Sequence, residues 1–335
     1  MLALAIGLAA CSPESGMEGS ADPNAEAQTT VTVYSGRSEE LVGPLLEQFT
    51  EETGIEVEAR YGDTAEMANL ILTEGENSPA DVYFAQDAGA LGAVAAEGLL
   101  ATLPDEILET VDDRFRSPTG EWVGVSGRAR VVVYNTDALD ESDLPDSIFD
   151  FTDPEWSGRI GWAPTNGSFQ SFVTALRVIE GEDRAREWLE GIQANDPSVY
   201  EGNNPALDAV IAGEIDVAFI NHYYLMQRLV EDPDAPAANS FMTDGDPGAL
   251  VNVAGAGILT TAENDEAARQ LVEFLLSPEA QEYFASETKE YPLVAGIEPD
   301  AELPSLDSIG TPDIDLSDLS DLEGTLELLQ EAGIL

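Results

Sequence analysis

Asn221-His222-Tyr223-Tyr224 places two phenols and an imidazole side by side. The group follows the apolar, β-branched run IDVAFI (215–220) and precedes LMQRLV (225–230), whose pattern predicts a helix. Consecutive residues within a strand face opposite ways, but at a strand-to-helix turn both phenols can reach one point. A phenolate pair suits a hard, highly charged cation such as Fe3+, which prefers anionic oxygen donors. A tyrosine ordinarily titrates near ~10, and a bound trivalent ion would remove that proton, as a metal does from a coordinating thiol. The competing reading is an aromatic pair that packs at a surface or stacks on a sugar. His222 is the one histidine and Cys11 the one cysteine, which excludes zinc and copper sites of the usual type. His222 is expected to support the tyrosines rather than to bind a metal itself.

Two other loops and a pair of arginines carry polar groups that could converge on a ligand. Pro164-Thr165-Asn166-Gly167-Ser168 follows the strand-like RIGW (159–162) and precedes a helical pattern. Its backbone N–H groups, with Asn and Ser side chains, would cradle an anion at a helix N-terminus. Plain N-capping by Asn166 or Ser168 explains the same residues without a ligand. Gly202-Asn203-Asn204-Pro205 also precedes a helix and is equally ambiguous. Arg128 and Arg130 stand out because basic residues are scarce, and each could meet an anion or a surplus carboxylate. Catalysis finds little footing: Gly-x-Ser-x-Gly, a P-loop and a Cys/His pair are all missing, so the chain is expected not to be an enzyme.

The elements that must position these residues are legible from hydrophobic periodicity. VTVY (31–34), IEVEA (55–59) and ADVYF (80–84) read as strands, with helices near 41–49, 67–72 and 91–99 between and after them. Ser38 reads as the N-cap of the first helix. RVVVY (130–134), RIGW (159–162), IDVAFI (215–220) and GAGIL (255–259) read as further strands. Helices are expected near 168–179, 183–192, 206–211, 266–276, 278–284 and 322–330. The β-α alternation argues for an α/β fold with parallel sheet and helices on both faces, in two units that form a clamshell. Ligands of open α/β sheets sit beyond the carboxyl ends of strands, which selects the loops 35–38, 85–87, 163–168 and 221–224.

The 335 residues include 13 Lys+Arg against 66 Asp+Glu, a net charge of −53. That field repels nucleic acid and anionic lipid, so neither is expected as a partner. Solubility in a saline habitat, with its acidic proteome, accounts for the charge without any metal. MLALAIGLAA (1–10) is too short to span a membrane and ends at Leu8-Ala9-Ala10-Cys11, a lipobox-like signal segment with Cys11 as the lipidation site. Residues 12–29 read as a flexible tether. The membrane is therefore expected to be touched only through a lipid anchor.

VTVYSGR (31–37), SPADVYFAQDAGAL (78–91), SGRARVVVYNT (126–136), SGRIGWAPTNGSF (157–169), NPALDAVIAGEIDVAFINHYY (204–224), DGDPGALVNVAGAGIL (244–259) and EYPLVAG (290–296) occur in order along the chain. In these stretches the sequence resembles the bacterial ferric-ion-binding proteins, the transferrin-like substrate-binding proteins of iron(III) ABC importers. The resemblance implies a type II periplasmic-binding-protein fold with two lobes joined by hinge strands: 30–127 with 250–300 as lobe 1, and 128–249 with 301–335 as lobe 2. It implies Fe3+ held by Tyr223 and Tyr224 with a synergistic anion, carbonate or phosphate. The anion would lie against Asn166, Gly167, Ser168, Asn203 and Asn221, with Arg37 and Arg128 as further contacts. Some members add a histidine and a glutamate from the first lobe, where Ser38 and Gln86 stand here, with Asp87 beside them. Others use a third tyrosine near the position of Trp162. The implied role is extracytoplasmic iron capture by a monomer, from free ion or ferric chelate, and delivery to a membrane permease. A protein of the same fold for a phosphonate or sugar phosphate is the alternative.

Overall fold

A computed structural model describes residues 29–300 and 302–335; Cys11 and residues 12–28 of the expected tether lie outside the described residues. The chain opens β1 (Thr30–Ser35), α1 (Glu39–Thr53), β2 (Glu56–Tyr61), α2 (Thr64–Glu74), β3 (Val82–Ala85), α3 (Ala88–Ala96) and the short α4 (Asp105–Leu108). The long strand β4 (Val123–Asn135) follows, then β5 (Ile160–Trp162), α5 (Gly167–Glu180), α6 (Glu182–Ala194), β6 (Ser198–Val199) and α7 (Asn203–Ile211). After these come β7 (Val217–Asn221), α8 (His222–Glu231), β8 (Ala237–Ser240) and β9 (Val251–Ile258). The chain closes with α9 (Asp265–Leu275), α10 (Pro278–Tyr283), β10 (Tyr291–Pro292), α11 (Leu306–Ile309) and α12 (Leu322–Glu331).

The strands hydrogen-bond in the order β2-β1-β3-β9-β4-β7-β5-β6, with β8 and β10 also pairing β4. The expected parallel pairing holds within each lobe, for β1 with β2 and β3, and for β5 with β6 and β7. The parallel pairing does not extend across the centre of the sheet. There β9 runs antiparallel to both β3 and β4, and β4 runs antiparallel to β7. The first half of β4 pairs β9 (Ala129 opposite Val251), and the second half pairs β7 (Arg130 opposite Asn221). One continuous strand thus passes from one lobe into the other and changes partner between Ala129 and Arg130. β-Branched residues carry its second half, and pairing with β9 carries the Gly- and Ser-containing first half, so that the whole strand is buried.

Each lobe has its own packing reason. In α1, Val42, Leu45, Leu46 and Phe49 are buried, and Gly54 (φ 73°) ends the helix in the left-handed conformation that glycine adopts at low cost. Ser38 precedes α1, but its hydroxyl makes no capping hydrogen bond, unlike Asp87, Asn166 and Ser277 at the starts of α3, α5 and α10. The second lobe packs Phe151, Trp156, Phe169, Phe172, Trp188 and Phe219 ring to ring, with neighbouring centroids 4.8–6.3 Å apart. The C-terminal segment touches both lobes. It ion-pairs through Asp307 to Arg114, passes over α3, and docks α12 on α5, where Arg177 holds Asp321 at 2.9 Å. Its backbone lies so close to α3 that a Cβ on Gly89 would sit 2.3 Å from the Leu319 carbonyl oxygen. Among the described residues, no helix is long and apolar enough to cross a membrane.

Candidate functional site

Tyr223 and Tyr224 lie in the first turn of α8, immediately after β7, and their rings stack with centroids 4.3 Å apart and planes 28° off parallel. The strand-to-helix turn therefore puts both phenols on one side, as the sequence anticipates. Tyr223 is buried and Tyr224 half-buried. Their place at a helix N-terminus favours negative charge, because unpaired N–H groups and the helix dipole point there. Burial pushes the Tyr223 phenol well above its ordinary value; Tyr224 and Glu290 push the same way, and Arg128 opposes them. A cation bound to both oxygens would reverse that balance by replacing the proton.

His222 is fully buried and both ring nitrogens are occupied. Nδ1 accepts the Ala129 N–H at 3.1 Å, and Nε2 faces the Lys289 carbonyl at 2.9 Å, which fixes Nε2 as the protonated nitrogen. The ring thus ties α8 to β4 and to the segment before β10, with Gln227 Nε2 donating to the Thr288 carbonyl one turn on. Burial lowers the imidazole to about 4, against the opposing pull of the Lys289 carbonyl and Glu290. Between that value and the ordinary 6.5, the unfolded chain binds a proton that the folded protein refuses. Stability is therefore lost as pH falls, by about 2 kcal/mol from this group between pH 7 and 5. Unfolding free energies measured at those two pH values should show a loss smaller by about that amount in His222→Gln than in the parent. Equal losses in the two proteins would refute the assignment.

Three arginines surround the tyrosines. Arg37 sits in the turn between β1 and α1, 1% exposed, and forks onto Glu290 through both terminal nitrogens at 2.9 Å. Burial works against both charges. In Arg37 the Glu290 carboxylate outweighs it; in Glu290, Arg37 leads, helped by Arg128 and the Ser126 hydroxyl, and holds the carboxyl below its usual range. Arg37 therefore has only Nε without a partner, rather than a free fork for an anion. Arg128 donates through Nη2 to the Gln86 carbonyl. Arg130 donates through Nη2 to the Phe219 carbonyl at 2.7 Å, while its Nε and Nη1 have no partner.

The remaining expected residues fall close by. Asn166 caps α5, accepting from the Ser168 N–H at 3.0 Å and the Ser168 hydroxyl at 2.6 Å. Asn203, at the start of α7, points Nδ2 at the same two side chains. Gly167 is exposed with open space where a Cβ would sit, and Asn221 is buried and lines a small cavity with Arg128, Arg130 and Ser168. From the first lobe, Ser38 is exposed and Gln86 and Asp87 are half-buried. Asp87 caps α3, accepting from the Gly89 N–H, and also receives Ser171 Oγ and Asn252 Nδ2, both at 2.5 Å. Its carboxylate is therefore engaged in joining α3, α5 and β9. Trp162 is buried against Phe169. Among the described residues, no group of three or more His, Cys, Asp or Glu could hold a metal.

Glu290, Asn252 and Ser171 escape sequence reasoning. Arg37 and Glu290 are 253 residues apart, and no local pattern joins them. Arg130, singled out with Arg128 in the sequence, lies two residues after it on β4 and so shares its face.

Two α/β lobes crossed by shared antiparallel strands define a two-lobed solute-binding fold of the type II periplasmic class. The family description "Bacterial extracellular solute-binding protein" matches residues 65–313, and the chain belongs to that family. It is 35% identical over 312 residues to the "Major ferric iron-binding protein" of Neisseria meningitidis serogroup B, covering 92% of this chain and 94% of that one. It is 36% identical over 281 residues to "Iron uptake protein A1" of Synechocystis, covering 81% and 77%. The structure of iron-bound HitA from Pseudomonas aeruginosa superposes with a TM-score of 0.85 at 36% identity, covering 91% of this chain and 99% of that one. A sugar-phosphate complex, AfuA from Actinobacillus pleuropneumoniae with fructose-6-phosphate, shares the fold alone at 17% identity and a TM-score of 0.74.

Proposed function

We propose that this protein captures ferric iron outside the cytoplasm and hands it to an ABC-type importer, with Tyr223 and Tyr224 as the iron ligands. The observation that carries the reading is the stacked phenol pair in the first turn of α8, directly after β7. Relatives described as ferric iron-binding and iron uptake proteins, alike over most of their length, support it. In this reading the chain binds and delivers without catalysing a reaction. A synergistic anion, carbonate or phosphate, lies near Asn166, Gly167, Ser168, Asn203 and Asn221, within reach of Arg128. His222 and Glu290 hold the elements that present the ligands. Residues 30–127 with 250–300 form one lobe, and 128–249 with 301–335 the other, the last segment reaching back across the first. Cys11 anchors a monomer to the outer face of the membrane through the 12–29 tether.

Visible absorption during titration with ferric citrate in bicarbonate buffer tests the proposal. A phenolate-to-iron charge-transfer band should grow to one iron per protein and fade on acidification, as protons compete for phenolate. Absence of the band at neutral pH, or a band unchanged at pH 3, would refute the tyrosine site.

A further inference from the structure

Lys289 has a φ of 61°, and among the described residues only two other non-glycine positions share a positive φ. Those two, Asp196 and Asp244, are of a type that tolerates the left-handed region; lysine has no such local reason to adopt it. Lys289 ends a π-helical turn, Phe284–Thr288, that follows α10. One acceptor holds the turn. The Phe284 carbonyl receives the Lys289 N–H, the Glu290 N–H at 3.0 Å and the Thr288 hydroxyl at 2.9 Å. Unfavourable backbone persists where its surroundings over-determine it, and both it and π-turns gather at functional sites.

The turn presents two successive carbonyls to one helix. Thr288 accepts from Gln227 Nε2 at 3.0 Å, and Lys289 faces His222 Nε2 at 2.9 Å. Tyr223 and Tyr224 lie between those two donors on α8. Two attachments five residues apart fix both the rotation of the helix about its axis and its tilt, which one attachment would leave free. The next residue, Glu290, holds Arg37 and accepts from the Thr288 hydroxyl at 3.3 Å. Glu290 and Arg37 both lie within electrostatic reach of the tyrosines. Three consecutive residues, 288–290, therefore set the tyrosine helix and a buried charge pair against each other.

We propose that Lys289, through its left-handed backbone, and Gln227, through its side-chain amide, are positioning residues for the ferric site: they hold α8 so that the two phenol oxygens keep one metal-binding separation. The inference rests on the tyrosine reading and extends it to residues that touch no ligand. The Lys289 ammonium has a different task, pairing with Asp300 at 3.0 Å.

Lys289→Val, Lys289→Asn and Gln227→Met test the proposal. Both Lys289 variants lose the ammonium, but asparagine accepts left-handed backbone and a β-branched residue resists it. Ferric affinity, read by titration with ferric citrate against a competing chelator well below the Tm, should fall by about 10-fold or more in Lys289→Val and in Gln227→Met, as for other groups that orient metal ligands. Lys289→Asn should restore most of the loss. Reduced stability alone does not produce this pattern, because a protein still almost wholly folded keeps its affinity. The charge-transfer band of the two weakened variants should also shift, since the phenolates meet iron at altered distance and angle. If Lys289→Val does not fold, Gln227→Met carries the test, because it removes one donor from a half-buried side chain and keeps its length. Parental affinity in Gln227→Met, or equal losses in Lys289→Val and Lys289→Asn, would overturn the positioning role and leave the iron reading intact. Absence of the band in the parent protein would overturn the iron reading, and this inference with it.

Discussion

Tyr223→Phe with Tyr224→Phe is expected to abolish the charge-transfer band and to lower ferric affinity by at least about 10³-fold. The ground for that magnitude is that loss of groups merely supporting a metal ligand already costs about 10–100-fold, and here the ligands themselves are removed. The substitution is conservative for the fold. Both rings remain, so the stack at 4.3 Å and the packing around His222 are retained, and only the two oxygens go. The variant should therefore unfold close to the parent in the absence of iron. Single variants separate the roles. Tyr223 is buried and Tyr224 reaches solvent, so loss of either should leave a weakened, shifted band from the other. Equilibrium competition against a ferric chelator reads the affinity. An unchanged affinity in the double variant would remove the tyrosines from the site and return them to a packing role.

The second large effect concerns stability. Glu290→Gln is expected to destabilise the protein by about 3–5 kcal/mol, the range for removing one partner of a buried ion pair. The carboxylate and Arg37 are each 1% exposed and meet through two 2.9 Å contacts, with Ser126 Oγ donating to the same carboxylate at 2.8 Å. Glutamine keeps the shape and loses the charge, so Arg37 would be left as a buried cation without its counter-charge. Replacing both partners, as Arg37→Met with Glu290→Leu, should cost less than Glu290→Gln alone, because no charge is stranded. Denaturant unfolding of the three proteins decides the matter. A Glu290→Gln variant within about 1 kcal/mol of the parent would show that water or a neighbouring group replaces the carboxylate. The pair also matters to the cleft. Glu290 stands next to Lys289 and Thr288, whose carbonyls receive His222 and Gln227 of the tyrosine helix.

Much of this protein is determined by local sequence. Strand and helix periods locate the longer elements, though not α4, β6, β8, β10 or α11, because burying one face imposes a period of two or of 3.6 on the residues that line it. The turn after IDVAFI suffices to bring Tyr223 and Tyr224 together, since the contact is between neighbours in the chain. Asn166 and Ser168 read correctly as a helix start for the same reason. Local reading reached its limit where partners are far apart. RVVVY (130–134) gave the second half of β4, but its first half, VGVSGRA, is rich in Gly and Ser and shows no period; pairing with β9, more than a hundred residues later, makes it a strand. Ser38 had the residue type of a cap without the geometry. Arg37 had the charge for an anion contact, but the fold gave its fork to Glu290. Asp87 had the chemistry of a ligand, but Ser171 and Asn252 took its oxygens. Residue type sets what a side chain can bind. Only the tertiary structure decides whether a partner from elsewhere in the chain has reached it first, because a buried polar group must be satisfied by whatever the fold brings within hydrogen-bonding distance.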